Sequence, residues 1–243
     1  RTEEHLLACF PDYPVLRIDR DTMARKQAMK QMLERIHSGE PCLLVGTQMI
    51  AKGHHFPDVT LVAILDADGG LFSADFRGPE RMAQQAIQVA GRAGRADKPG
   101  QVIIQTHMAE HPLMQDLIDQ DYARFAAREL AARQSAGLPP FSFSALLRAE
   151  ANATEQTNLF LDRAVELADQ LLASPPIQSV ELLGPVPSPM ERRAGRYRAQ
   201  LLLLAEQRSA LHQLLHMLLL ALEQEPLARR VRWSIDVDPM DMF

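Results

Sequence analysis

The sequence predicts an α/β domain built on a parallel sheet, followed by a smaller α+β domain, in a chain of 243 residues. Two observations carry this. In the first half, short runs that are apolar throughout alternate with amphipathic stretches, as expected of strands buried on both faces between helices. In the second half the runs alternate apolar with polar residues, as expected of strands with one covered face. The Pro-Pro pair at 139 and 140 separates the two patterns. Domains of 1–137 and 138–243 follow.

In order along the chain, "YPVLRID" (13–19) reads as a strand, and "DTMARKQAMKQMLERIHSG" (21–39) as a helix. Thr22 can cap that helix, Met29, Met32, Leu33 and Ile36 form its stripe, and Gly39 ends it. "CLLVGT" (42–47) and "VTLVAILDAD" (59–68) are strands of the doubly buried kind. "PERMAQQAIQVA" (79–90) is a helix with Pro79 in its first turn, and "GQVIIQT" (100–106) is another strand. One linking helix is predicted over 112–137.

Beyond the proline pair, "FSFSALLRAEA" alternates with Phe143, Ala145, Leu147 and Ala149 on one face. "TEQTNLFLDRAVELADQLLAS" is a helix with a Thr154 cap and a stripe at Phe160, Ala164, Leu167, Ala168 and Leu171. "IQSVELLG" and "RYRAQLLLLAE" are strands joined by the proline-rich loop "PVPSPMERRAG". A helix over 207–223 and the strand "VRWSIDVD", with Val231, Trp233, Ile235 and Val237 inward, complete βαββαβ. That order suggests a ferredoxin-like domain.

The composition, 47% hydrophobic and 23% charged, is that of a globular protein with ample core material. Cys9 and Cys42 form no CxxC pair, so neither a disulfide framework nor a cysteine zinc site is predicted, and a reducing compartment fits. No signal peptide and no run of about 18 apolar residues occurs, so no membrane partner is expected. A chain opening on Arg1 is expected to be part of something longer. The net charge of −5 argues against a generally basic nucleic-acid binder, but the average hides "ERRAGRYR" (191–198) and "ARRVRW" (228–233).

In open α/β sheets, ligands bind beyond the carboxyl ends of the strands. "GTQMIAKGHHF" leaves one such end, and "QVAGRAGR" lies between a helix and the strand after it. Gly46, Gly53, Gly91 and Gly94 let backbone approach a ligand closely, and the guanidinium forks of Arg92 and Arg95 suit phosphate oxygens. The structural alternative is that Gly91 caps the helix and Arg92 pairs with Asp97. His54 and His55 lack a third ligand at a suitable interval, so no metal site is predicted.

The spacing of Gln88 and the Gly-Arg-x-Gly-Arg run resembles motif VI of superfamily-two helicases, and "GTQMIAKGHHFPDV" resembles their motif V. "LDADGGLFSADFRGPERMAQQAIQVAGRAGR" and "GLPPFSF" narrow the resemblance to the replication-restart helicases of the bacterial primosome, over nearly the whole chain. The resemblance implies that residues 1–137 are most of the second RecA-like lobe, with ATP between this lobe and another. Arg95 would then be the arginine finger, with Arg92 beside it and Gln88 positioning the nucleotide or its attacking water. Gly53, Gly91 and Gly94 would serve the nucleotide site, and Thr47, with Gln48 and Lys52, the tracked DNA strand. His55 departs from an aspartate common in the superfamily, which puts a ribose contact there in doubt.

The sequence has no GxxxxGK[ST] phosphate loop, and Asp66 and Asp68 in "LDAD" belong by resemblance to the second lobe. ATP and Mg²⁺ are therefore expected to be held mainly by the other lobe. The family's Zn²⁺ lies in a cysteine-rich insertion that this chain lacks, and the chain by itself is expected not to hydrolyse ATP. The family's C-terminal domain implies branched and single-stranded DNA as partners for Arg192, Arg193, Arg196, Tyr197 and Arg198. It also implies the acidic tail of single-stranded DNA-binding protein for Arg208, together with other primosome proteins at a cytoplasmic replication fork. Two other readings stay open: a non-catalytic module binding DNA or a protein tail, and a superfamily-two branch-migration translocase.

Overall fold

The structure, a computed structural model, describes residues 2–18, 26–46, 58–91, 100–173 and 180–242, with the side chains of 26–29 set aside. Two compact units emerge, one of Arg1–Phe72 with Pro79–Phe125, the other of Ser73–Gly78 with Ala126–Phe243. The second unit thus takes in residues 73–78 and 126–137, which lie before the 137/138 boundary read from the sequence.

The first unit holds α1 (Thr2–Cys9), β1 (Val15–Ile18), α2 (Lys26–His37), β2 (Leu43–Gly46), β3 (Leu61–Ile64) and α3 (Ala67–Leu71). After residue 78 follow most of α4 (Gly78–Ala90), then β4 (Gln101–Ile104) and α5 (Pro112–Ile118). Strand β1 pairs with β2 and β3 with β4, both in parallel. In β3 and β4 every second residue is exposed, Leu61 and Ile103 among them, so these strands are covered on one face rather than on both as their apolar sequence predicts.

Helix α4 turns Met82, Ala83 and Ala86 inward, and Met82 and Ala83 join Ala67, Leu71, Met114, Leu117 and Phe125 in one core cluster. A close approach fixes part of that cluster. A Cβ on Gly70 would sit 2.6 Å from Cβ of Met82, so only glycine lets α3 lie this near α4. The sequence read residues 59–68 as strand throughout, whereas the strand stops at Ile64. Asp66, at φ 54°, turns the chain and accepts from the Gly69 amide, starting α3.

The predicted linking helix is two helices, α5 and α6 (Tyr122–Ser135). The break at Asp119–Asp121 carries Gln120 at φ 58°, and Arg124 gathers the carboxylates around it. Its Nε bonds the buried Asp116, and its Nη2 lies 2.5 Å from Asp119. Amphipathic periodicity on both sides hid this acidic interruption.

The second unit is built on β5 (Phe143–Ala151), α7 (Thr154–Leu172), β6 (Val180–Arg193), β7 (Arg196–Ala205), α8 (Arg208–Gln224) and β8 (Arg232–Val237). Its four strands lie in the order β6-β7-β5-β8 with all neighbours antiparallel. Alternation puts Ala145, Leu147, Ala149 and Ala151 of β5, with Leu201 and Leu203 of β7, on one face. Phe160, Leu161, Ala164 and Ala168 of α7 and Leu211, Leu214 and Leu218 of α8 cover that face.

Three details depart from the sequence reading. Thr154 is the first helical residue rather than the cap; Ala153 stands at the cap and makes no side-chain bond. Val231, Trp233 and Ile235 meet the core as expected, but Val237 is exposed. The proline-rich "loop" is strand: β6 continues to Arg193 with register shifts on either side of Val186 and Pro187. Prolines at 185, 187 and 189 recur at the strand period on an edge strand, where an N–H facing away from the sheet has no ladder partner to lose.

Candidate nucleic-acid interface

Beyond the last register shift, β6 and β7 run on as a hairpin whose final pairs are Arg192 with Tyr197 and Arg193 with Arg196. The turn between them is two residues, Ala194 at φ 49° and Gly195 at φ 81°. Positive φ at both positions is the two-residue hairpin turn whose twist matches the strands. Glycine adopts it freely, whereas alanine costs about 1–2 kcal/mol. The hairpin therefore holds local strain at its tip.

The arginines divide by strand alternation. Arg192 lies with its guanidinium carbon 5.1 Å from the Tyr197 ring centroid, on the same side of the hairpin. Arg193 and Arg196 stand directly opposite each other, a like-charge pair that destabilises a strand pair unless an anion lies between. Arg192 and Arg193 are exposed and Arg196 partly so.

Arg198 differs from the other three. It is 8% exposed, and its Nε donates to Oε1 of Glu150 at 3.0 Å. Glu150 also stands opposite Arg232 on β8, so one carboxylate sits between two arginines across three strands. The sequence grouped Arg198 with the surface cluster; its strand position turns it onto the sheet beside Glu150. Next along this face, Arg148 is held by Asp236 at 2.8 Å, and Ser188 donates to Gln200 at 3.3 Å.

Arg208, in the first turn of α8, is exposed, 3.6 Å from Asp238, and lies 4.9 Å from the Phe143 ring centroid. A long ion pair in water is worth well under 1 kcal/mol, so this guanidinium stays available to a stronger anion.

In the first unit, Gln88 is exposed on α4, on the side away from Met82 and Ala83. Gly91 follows, its amide donating to Ile87 O at 2.9 Å. Its φ is not left-handed, and a Cβ there would meet Ile87 O at 3.4 Å, so the described fold does not itself demand glycine. Arg92, Gly94 and Arg95, like Thr47, Gln48, Lys52, Gly53, His54 and His55, lie outside the described residues. Among the described residues no cluster of His, Cys, Asp and Glu could hold a metal ion, and no helix is long and apolar enough to cross a membrane.

Two polar arrangements escaped the sequence reading. Asp68 accepts from Thr106 Oγ1 at 2.5 Å and from the His107 amide at 2.8 Å, tying the segments that follow β3 and β4. The Thr106 hydroxyl first, then the His107 amide, hold its carboxyl below the usual value. Asp75, fully buried, accepts from the amides of Arg77 at 3.0 Å and Met242 at 3.2 Å. Nothing local in "SADFRG" marks that carboxylate for burial, because one donor lies 167 residues away.

Comparison with known proteins gives this arrangement its class. Residues 1–97 match the family described as helicase conserved C-terminal domain, and residues 134–240 match that described as primosomal protein N C-terminal domain. In sequence, the chain thus joins a helicase C-terminal domain to a primosomal protein N C-terminal domain. The chain belongs to the replication restart protein PriA family. It is 47% identical over 99% of its length to that protein of Haemophilus influenzae, and 38% identical over its whole length to that of Bacillus subtilis. The Synechocystis protein is 41% identical over 83% of the chain. The chain spans 32%, 30% and 24% of these relatives respectively, a third of their length or less.

Proposed function

We propose that the chain supplies the second motor lobe and the DNA- and partner-binding module of an ATP-dependent 3′-to-5′ helicase. The whole protein recognises stalled or branched replication forks in the bacterial cytoplasm and directs primosome assembly. The parallel pairs β1-β2 and β3-β4 support a RecA-like lobe, and the strand order β6-β7-β5-β8 supports a ferredoxin-like module.

One observation carries the DNA contact: the hairpin tip that sets Arg193 against Arg196 beside the Arg192–Tyr197 stack. Guanidinium forks suit backbone phosphates, and Tyr197 offers a ring on which a base can stack. Thr47, Gln48 and Lys52 of the motif V stretch contribute a second, backbone-tracking contact. Arg208 takes an acidic peptide such as the tail of single-stranded DNA-binding protein, exchanging Asp238 for it.

With no phosphate loop in this chain, its part in ATP hydrolysis is to reach a nucleotide and Mg²⁺ held by the other lobe. Arg95 stabilises the charge on the transferring phosphoryl group, Arg92 assists, and Gln88, exposed on α4, orients the attacking water. Gly53, Gly91 and Gly94 keep the backbone low enough for that approach. Zn²⁺ belongs to the rest of the protein, and this chain by itself does not hydrolyse ATP.

The test is ATP hydrolysis by the full-length protein with and without forked DNA, wild type against Arg95→Ala. A DNA-stimulated rate that falls about 10³-fold with nucleotide binding retained supports the reading. A wild type without DNA stimulation, or a variant at full rate, overturns it.

A further inference from the structure

The segment Ser73–Gly78 belongs to the second unit, although both its neighbours in sequence belong to the first. It is held there by residues 238–242. The buried Asp75 accepts the Met242 amide, and Arg77 Nη1 donates to Pro239 O at 2.7 Å. Two guanidiniums lie over the Phe76 ring, Arg77 at 4.3 Å and Arg133 of α6 at 5.3 Å from its centroid. Residues 238–242 are in turn fixed to β5. The Asp238 amide donates to Ser144 O at 2.9 Å, and Arg148 Nη2 donates to Asp241 O at 2.6 Å.

At its other end the segment becomes a helix. Gly78, whose amide donates to Asp75 O at 2.7 Å, is the first residue of α4, and Gln88 lies ten residues on, about 15 Å along the axis. A continuous path of bonds therefore runs from the hairpin through Arg198 and Glu150 to β5, on to residues 238–242, to Asp75 and Arg77, and into α4.

We propose that residues 73–78 and 238–242 form a clasp through which DNA held by the hairpin sets the start of α4, making Asp75 and Arg77 positioning residues for DNA-coupled ATP hydrolysis. The proposal rests on the helicase reading above. A buried carboxylate is stable only while donors face it, and those facing Asp75 include one amide from its own turn and one from residue 242. When the tail leaves, water must replace the Met242 amide, so the two segments seat and release together. Such a two-position element is what coupling between distant sites requires.

The experiment uses the full-length protein carrying Asp75→Asn, Met242→Pro, which removes the donor amide of residue 242 together with its buried side chain, or Arg77→Ala. DNA-stimulated hydrolysis is expected to fall about tenfold in each, with DNA-independent hydrolysis and fork affinity within about twofold of wild type. The double variant Asp75→Asn/Met242→Pro should be no worse than the worse of the two single variants, because both act on one contact. Amide hydrogen exchange in the first turn of α4 should quicken while β5 and β7 stay protected.

DNA stimulation within about twofold of wild type in all three variants, or unchanged exchange in α4, overturns the clasp. So does a fall matched by an equal loss of fork affinity or by exchange throughout the sheet, which marks a merely structural role. A wild type without DNA stimulation overturns the helicase reading and the clasp with it. Stimulation that depends on Arg95 but ignores the clasp variants overturns the clasp alone.

Discussion

Arg198 on β7 and Glu150 on β5 stand directly opposite each other, Nε to Oε1 at 3.0 Å, in a pair that leaves the arginine almost sealed from water. Four arginines adjacent in sequence are therefore three that face outward and one that holds the sheet.

Removing the arginine side chain leaves Glu150 without its closest cation. Arg198→Ala is expected to cost about 1–3 kcal/mol in urea unfolding of this chain, while leaving the salt dependence of DNA binding unchanged. An unaltered unfolding midpoint would count against a structural role for the pair.

The remaining three set the electrostatic footprint. If Arg192, Arg193 and Arg196 each neutralise one duplex phosphate, they contribute about −2.7 to the slope of log affinity against log salt. Each alanine substitution should remove about 0.9 from it, with stability unchanged or, for either member of the 193/196 pair, slightly raised. Slopes that ignore all three substitutions would remove the hairpin from the interface.

The approach of α3 to α4 leaves no room at position 70. Gly70→Ala forces its new methyl against Met82 and should destabilise the first unit by about 1–3 kcal/mol. Gly91→Ala, with only ordinary contacts awaiting its methyl, should leave stability nearly unchanged. Equal unfolding midpoints for the two variants would refute the distinction.

Asp68 gives the first unit a pH dependence of known sign. Its carboxyl is held below the usual value, chiefly by the Thr106 hydroxyl. It therefore adds stability that is fully present above the usual carboxylate range and is lost as pH falls through the folded value. Thr106→Val should move the Asp68 titration upward in carbon-13 NMR. The stability gap between wild type and variant should narrow on acidification. An Asp68 titration that does not move would show that the hydroxyl is not what sets it.

The strands and helices were legible where one local period decides them. The alternation of Ala145, Leu147 and Ala149 and the stripe at Phe160, Ala164 and Ala168 appear in the core as read. What failed was settled by partners distant in sequence or by a single turn. Prolines suggested a loop over 185–195, but an edge strand tolerates them, and β7 supplies the ladder. Arg198 looked like its neighbours because composition carries no face. Asp75 was illegible because its donor at Met242 is set by tertiary structure. Arg92 and Arg95 of the motor motifs are read from sequence spacing and lie outside the described residues.

The Asp75–Met242 bond also has a consequence for biosynthesis. The two residues are 167 apart, so at about 5–20 residues per second the ribosome delivers the second about 8–33 s after the first. During that interval the carboxylate must stay hydrated, and the start of α4 must remain open in a nascent chain whose core cluster is otherwise ready to form. The helix that carries Gln88 thus acquires its final setting only once β8 and residues 238–242 have been made.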